Sequence, residues 1–288
     1  MITNFELKLK ARTALRNNWQ TALMVALIAS LPSLASQVVA IMTQSSYAHT
    51  MSGLMSSMQS GATVADLATL LEEAGITLEG YLPTGLLNLL AAIISPFLTL
   101  GMLNYFFKLL QGEADAPIST VFSRRNCFFK AIGLNLMVFL RTFLWMLPGL
   151  VLEVLALVAV TALSESLSML AILLMYAGPV TMLVLGIRAA LHYAMADRVM
   201  AETPSKGINQ CIRESVAIMS QRKLLLFSLE ISFFLWQIGL TLLESLLLGM
   251  VGNVLASTVS MALNFALNIY IQMAISAFYL YYRSETAI

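Results

Sequence analysis

The chain has 288 residues, of which 59% are hydrophobic and 11% charged, with a net charge of +1 and a mean hydropathy of +0.83. A water-soluble domain carries roughly 25% charge, so a soluble fold of this size would expose large apolar patches, and lipid is the expected solvent. The balanced charge argues against nucleic acid as a partner, and two cysteines without metal-ligand spacing argue against a disulfide framework or a structural metal.

In chain order, the leader 1–18 holds Lys8, Lys10, Arg12 and Arg16 ahead of an apolar run at 19–42. Pro32 and the triplet Ser33-Leu34-Ala35 give this run the outline of a signal peptide with a cleavage site. It is equally the outline of a first spanning helix. The outward loop 43–84 follows, with Asp66, Glu72, Glu73 and Glu79 and no Lys or Arg. His49, Met51, Met55 and Met58 are soft groups suited to a cuprous ion. Met is abundant throughout, 18 in all, and serves as flexible apolar filler, so no metal or cofactor is expected. Val64, Leu67, Leu71 and Ala74 mark a short amphipathic helix expected to rest on the outer leaflet or cap the bundle.

Further apolar runs lie at 85–109, 131–160, 168–195, 224–248 and 254–281, which with the first makes six candidate spans of the ~20 residues a bilayer requires. The third and fourth exceed that length and are expected to tilt, kink or protrude. Lys108, Arg124, Arg125 and Lys130 sit in or beside the connection 110–130. Arg188, Arg198, Lys206, Arg213, Arg222 and Lys223 cluster around the connection 196–223, and Arg283 lies in the tail. Lys108 and Arg188 lie at the inner ends of their spans, Arg141 alone lies well inside one, and the alternate connections contain no Lys or Arg. By the positive-inside rule both termini are cytoplasmic.

Each inward connection reaches its next span through a basic amphipathic stub, at 3–17, 118–130 and 204–222. In the last, Ile208, Cys211, Ile212, Val216 and Met219 recur at helical spacing, and Thr203-Pro204 suits an N-cap followed by proline at the first helical position. These stubs are expected in the headgroup layer, where Arg12, Arg16, Arg124, Arg125, Arg213, Arg222 and Lys223 face anionic lipid. The chain then reads as one membrane domain, 1–288, of three rough stub-plus-hairpin units.

The blocks Phe5-Glu6-Leu7-Lys8, Ala11-Arg12, Leu15 and Asn18-Trp19, then Gly101–Ser123 with its Gly-Glu pair, Tyr193–Trp236 and the terminal Ala-Phe-Tyr-Leu-Tyr-Tyr-Arg resemble a bacterial family of integral membrane proteins. That family is common in Gram-positive bacteria and is catalogued only as a domain of unknown function. The resemblance implies no activity, substrate or catalytic residue. It does imply that the opening block belongs to the body of the protein and that the first span is retained rather than cleaved after Ala35. The loop 43–84 is longer than the family pattern.

No zincin, nucleophile-elbow, Walker or dinucleotide motif is present, and His49 and His192 are far apart, so an enzyme is not expected. Glu153 and Glu244 are read as lying near the outer surface, open to hydration. Polar groups inside spans are costly and normally face the bundle or water. Arg141 and Glu230 have opposite charge and similar depth and are expected to pair, with Asn104 and Gln272 completing a cluster. Ser260, Asn264, Asn268, Gln272 and Ser276 form an every-fourth-residue row on span six. Such a row either glues helices together, the commoner use, or lines a passage. Pro32, Pro96, Pro148 and Pro179 favour kinks in the first four spans. Pro148-Gly149 and Gly178-Pro179 lie at matching depth and are candidate hinges resembling the discontinuous helices of transporters.

The expected architecture is an all-α bundle of six membrane helices in the cytoplasmic membrane of a bacterium. Two function classes fit it. The first is a non-enzymatic protein handling lipid or amphiphile or assisting a membrane complex, and the second is a small-solute or ion transporter. A polar cavity reaching mid-membrane would favour the second.

Overall fold

The computed structural model describes residues 2–36, 78–113, 116–162, 168–251 and 253–286, and among these residues there are helices and turns but no strand. Helix α1 spans Asn4–Arg16, α2 Trp19–Ser36 and α3 Leu78–Leu110. Two short 3-10 turns, Ile118–Phe122 and Arg125–Cys127, lead into α4 at Phe128–Ala162. Then come α5 at Ser168–Tyr193, α6 at Ala196–Glu202, α7 at Ile208–Met219, α8 at Lys223–Val251 and α9 at Asn253–Thr286. Six helices (α2, α3, α4, α5, α8 and α9) are long and apolar enough to cross a membrane. The protein is an all-α membrane bundle, as its composition requires. The helix expected near 64–74 and the Met-rich stretch lie outside the described residues.

The leader folds as α1 because Thr3 and Glu6 form a capping box. The Glu6 N–H donates to Thr3 Oγ1 at 3.3 Å, and the Thr3 N–H donates to Glu6 Oε2 at 3.0 Å, satisfying two amide groups that a helix start leaves open. Leu7, Ala11 and Leu15 recur every fourth residue and are buried. They hold α1 across the start of α8 and the end of α9. Asn4 Nδ2 donates to Ser228 Oγ at 3.0 Å, Tyr270 Oη donates to the Lys8 carbonyl at 3.1 Å, and Lys8 Nζ lies 4.4 Å from the Phe233 ring centre. Burial lowers the pKa of the Lys8 ammonium from its usual value. A turn at Asn17–Asn18, with the Ala22 N–H reaching back to the Asn18 carbonyl at 2.9 Å, passes the chain directly into α2.

The bundle is tightest at its basic end, where α6 and α7 tuck among the spans. Met195, Val199, Met200, Ala201, Cys211, Ile212 and Met219 are fully enclosed there. Ser215 ties the segment down, since its Oγ accepts the Met195 N–H at 3.1 Å and donates to the His192 carbonyl at 2.9 Å. The amphipathic character expected of 204–222 is therefore present, but its apolar face is spent on the bundle core. The helix does not begin at Thr203-Pro204. Gly207 is its N-cap, Thr203 closes α6, and the Pro204 carbonyl instead receives Lys130 Nζ at 3.1 Å. That contact anchors the turn to the start of α4 and leaves Pro204 outside both helices.

The hinges expected at Pro148-Gly149 and Gly178-Pro179 are a packing junction. Helices α4 and α5 each run unbroken through their proline. A Cβ on Gly149 would lie 2.7 Å from the Met182 nitrogen and 3.0 Å from the Gly178 carbonyl oxygen, and one on Gly178 would meet the Glu153 side chain. The two glycines allow backbone-to-backbone approach, the geometry that small residues give to membrane helices. At 35 residues, α4 is about 52 Å long, well beyond the ~30 Å hydrocarbon core, so it protrudes as its length demands.

Gly101 marks a second close approach, because a Cβ there would land on the Val121 carbonyl. Overpacking of this kind costs about 1–3 kcal/mol. Gly101→Ala is expected to lower the melting temperature in detergent by several degrees. Gly239→Ala, which meets nothing within 4 Å, is expected to leave it unchanged or raise it, by up to about 1 kcal/mol of helix propensity. Equal effects of the two substitutions would refute the α3–Val121 contact.

Candidate functional site

Four members of the polar row on α9, Ser260, Asn264, Asn268 and Gln272, face a cavity of about 960 Å³. Its other walls come from α2 (Ala26, Ala29, Ser30, Ser33), from α3 (Ser95, Thr99, Met102) and from Glu244 of α8. The row spans 12 residues, about 18 Å along the helix, from the half of the bundle opposite the basic end down toward that end. The row therefore lines open space along these positions, and of the four side chains Gln272 also ties α9 to another helix, the role that was the commoner expectation. Asn264 Nδ2 donates to the Ser260 carbonyl one turn back at 2.9 Å, and Ser276, the last of the row, is buried and donates to the Gln272 carbonyl at 2.8 Å.

Gln272 forms the floor. It lines the cavity and also accepts, through Oε1, a 2.7 Å hydrogen bond from Arg198 Nη2. Arg198 is 7% exposed and donates through Nη1 to the Ala194 carbonyl at 2.9 Å, while its Nε has no partner among the described residues. Asp197, Glu230 and Tyr279 lie within its electrostatic reach. Tyr279 Oη in turn donates to Glu202 Oε2 at 2.7 Å, and Glu202 pairs with Arg283. In the sequence Arg198 counts only among the cations around the connection 196–223, which does not reach its burial. The signal that marks it as interior is the apolar context of Ala194 to Ala201, where every neighbour except Asp197 is apolar.

The expected six-residue polar cluster does not stay together. Arg141 does not pair with Glu230. Its Nη2 donates to Asn209 Oδ1 on α7 at 3.1 Å, because α4 packs on α5 and α7 and α7 supplies the nearer acceptor. Glu230 instead lies within the field of Arg198. Asn104 is likewise elsewhere, with its Oδ1 accepting from Arg124 Nη2 at 2.9 Å and its Nδ2 donating to Ser123 at 3.0 Å. Gln272, Asn268 and Asn264 remain together on the cavity. Glu153 is not simply hydrated, since its Oε2 is enclosed at the α4–α5 junction without a partner among the described residues. Glu244 lines the same cavity as Asn264.

The cations also divide. Arg12, Arg16, Arg125 and Arg213 are exposed and remain suited to anionic headgroups. Arg124 is taken by Asn104, and Arg222 by Glu285 at 3.1 Å and the Ile218 carbonyl at 3.3 Å, with its guanidinium 4.7 Å from the Tyr282 ring centre. Lys223 Nζ lies 2.9 Å from His192 Nε2. These three are held by the protein, because the fold supplies acceptors that the sequence pattern does not reveal.

Residues 1–286 match a family model described as "Protein of unknown function (DUF975)". The chain belongs to this family. The match covers nearly the whole chain, so α1, the cavity walls and the Arg198 network all lie within family territory. No curated protein and no solved structure matches the chain.

A hydrogen bond to a charged donor contributes about 1.5–3 kcal/mol, and the loss of one partner leaves the other unsatisfied. Arg198→Met and Gln272→Leu are each expected to destabilise this family member in detergent, and the double variant to lose clearly less than the sum, with a coupling of about 1–2 kcal/mol. The same cycle on Arg141→Met and Glu230→Gln is expected to be additive. Coupling in the second cycle and additivity in the first would reverse the assignment made from the geometry.

Proposed function

We propose that this protein is a non-enzymatic multipass membrane protein that binds a small polar or amphiphilic solute in the α2–α3–α9 cavity and carries it through the bundle. The observation that supports this reading is the row Ser260, Asn264, Asn268, Gln272 facing open space at a depth where polar side chains otherwise seek each other. The cavity volume is at the upper end of the range, about 300–1,000 Å³, typical of small-ligand sites. Its polar lining is amide and hydroxyl, with Glu244 the single carboxylate, which suits an uncharged or weakly cationic solute that exchanges hydrogen bonds. No set of His, Cys, Asp and Glu among the described residues groups for metal binding, and the reading requires none.

A lipid-handling role is the second reading, and one surface favours it. Helix α1 exposes Phe5 at 73% and Leu9 beside Lys10, Arg12 and Arg16, an apolar pair with flanking cations that suits insertion at an anionic headgroup layer. In this reading anionic lipid is a partner of the basic end, and a second membrane protein is a further candidate. Both readings place the chain in the cytoplasmic membrane of a bacterium with its basic end and both termini in the cytoplasm.

Thiol labelling tests the cavity and the orientation together. Asn268→Cys is expected to react with a water-borne thiol reagent despite its mid-membrane position, whereas Leu235→Cys, on the apolar outside of α8, is not. In intact cells, Ser60→Cys and Ser164→Cys are expected to react with an impermeant reagent, and Arg213→Cys only after the membrane is opened. The native thiols contribute little background, because Cys127 and Cys211 are buried, and burial, reinforced by Glu214, raises the Cys211 pKa. An unreactive Asn268→Cys in folded protein would remove the cavity reading. Reaction of Arg213→Cys from outside intact cells would invert the orientation.

A further inference from the structure

A second cavity, about 630 Å³, opens at the basic end between α1, α3 and α9. Lys10, Thr13, Asn17, Asn18, Tyr281 and Ser284 supply its polar lining. It shares three structural walls with the first cavity: the α1–α2 segment, α3 and α9. On each wall the two cavities occur in the same order along the bundle. The α1–α2 segment contributes Asn18 to the basic-end cavity and Ala26 to the other. Helix α3 contributes Leu109 and Met102 respectively, and α9 contributes Ala277 and Gln272. The intervals are 8, 7 and 5 residues, so the layer between the cavities is about 8–12 Å thick at 1.5 Å per residue.

That layer is closed by packing. Ala22, Val25, Leu103, Tyr105, Phe106, Met273 and Ala274 are buried in it, each at 1% exposure or less. One polar contact crosses it from wall to wall. Tyr105 Oη on α3 donates to Thr21 Oγ1 on α2 at 2.7 Å, and the Thr21 hydroxyl donates back to the Asn18 carbonyl at 3.0 Å, on the rim of the basic-end cavity.

We propose that the two cavities are the two ends of one solute path along α9, and that the Tyr105–Thr21 hydrogen bond latches the barrier between them. The proposal rests on the cavity reading above and adds the route and its closure. Small residues on two walls, Ala22 on α2 and Ala274 on α9, set the spacing at which α2, α3 and α9 meet, so a modest separation of α2 from α3 would join the two volumes. The hydroxyl pair holds them together in the closed form and has no counterpart in the open one. Its removal therefore shifts the balance by about fivefold, the effect of one ordinary hydrogen bond on a two-state equilibrium.

The test uses the full chain in lipid vesicles, with a charged, water-soluble thiol reagent added to one side or the other. Asn264→Cys is expected to react only from the side opposite the basic end, Ser284→Cys only from the basic side, and Ser276→Cys, inside the barrier, from neither. Adding Tyr105→Phe, which removes the hydroxyl and keeps the ring, is expected to make Ser276→Cys reactive from both sides at a rate at least about fivefold higher, with the two end positions unchanged. Thr21→Val carries the same expectation if the Tyr105 variant does not fold. If Asn264→Cys is itself unreactive, the cavity reading fails. If both end positions react and Ser276→Cys ignores both substitutions in folded protein, the latch fails and the cavity stands. If one reagent reaches all three positions from one side of the otherwise unaltered chain, the path is an open channel and the barrier is refuted.

Discussion

The segment Ala196–Met219, folded back among the spans at the basic end, is the constraint on which the rest of the arrangement depends. In a bilayer the hydrophobic effect does not drive one apolar helix onto another, since lipid tails are as apolar as leucine. Packing must come from shape and hydrogen bonds, and this segment supplies both. It contributes Val199, Met200, Ile212 and Met219 to the core, the Ser215 link between α5 and α7, and Arg198 to Gln272. With side-chain volume concentrated there, the spans are gathered at the basic end. They are less enclosed elsewhere: on α8, Leu226, Leu229 and Phe233 near the basic end are buried, whereas Leu242, Leu243 and Leu246 toward the other end are exposed. The cavity is the space left where α2, α3 and α9 diverge from that knot.

Much of the fold was legible in the sequence. Six spans follow from apolar run lengths, and the amphipathic leader follows from Leu7, Ala11 and Leu15 with the Thr3–Glu6 box beside them. The site was legible in part. The α9 row stood out because its every-fourth spacing keeps four polar groups on one slowly winding ridge, yet the row alone could not say whether another helix or open space faced it. Arg141 and Glu230 show why. Distance from flanking cations gives depth along the membrane normal and says nothing of which way around the bundle a side chain points. Two charges at one depth are neighbours only if their helices are, and α7 intervenes with Asn209. The burial of Arg198 was not read from the sequence at all, since counting Lys and Arg by connection says nothing of which of them folds inward with apolar neighbours.

The proline-glycine pairs carry a similar lesson about mechanism. A proline removes one backbone hydrogen bond, and its companion glycine removes a side chain, so flexibility and close packing are encoded by the same two letters. In α4 and α5 the matching depth of the pairs reflects packing, with Gly149 against Met182 and Gly178, and Gly178 against Glu153. The close packing on this side of the molecule contrasts with the cavity side, where α2 is the wall that the proposed opening would move against α3 and α9.

The polarity of the path is consistent with that division. Beside apolar Leu34, Met102, Met261, Phe265 and Ile269, the polar lining of the first cavity is mostly amide and hydroxyl, and in the proposed reading these donors and acceptors would be exchanged with a solute at little net cost, since each bond to the solute replaces one to water or to a neighbouring carbonyl. Full charges stand beside the path instead of in it. Arg198 is screened from the cavity by Gln272, and Glu202 is occupied by Tyr279 and Arg283. An unscreened guanidinium at the floor would bind an anion tightly and hold it. A glutamine with one face to the cavity and the other to the guanidinium transmits a weaker, directional polarity, so the oxygen facing Arg198 is fixed and its amide hydrogens are left to face the solute. In the proposed reading, that orientation would favour a ligand that presents an acceptor at depth, and it would tie occupancy of the cavity to the buried network that holds α6 against α9.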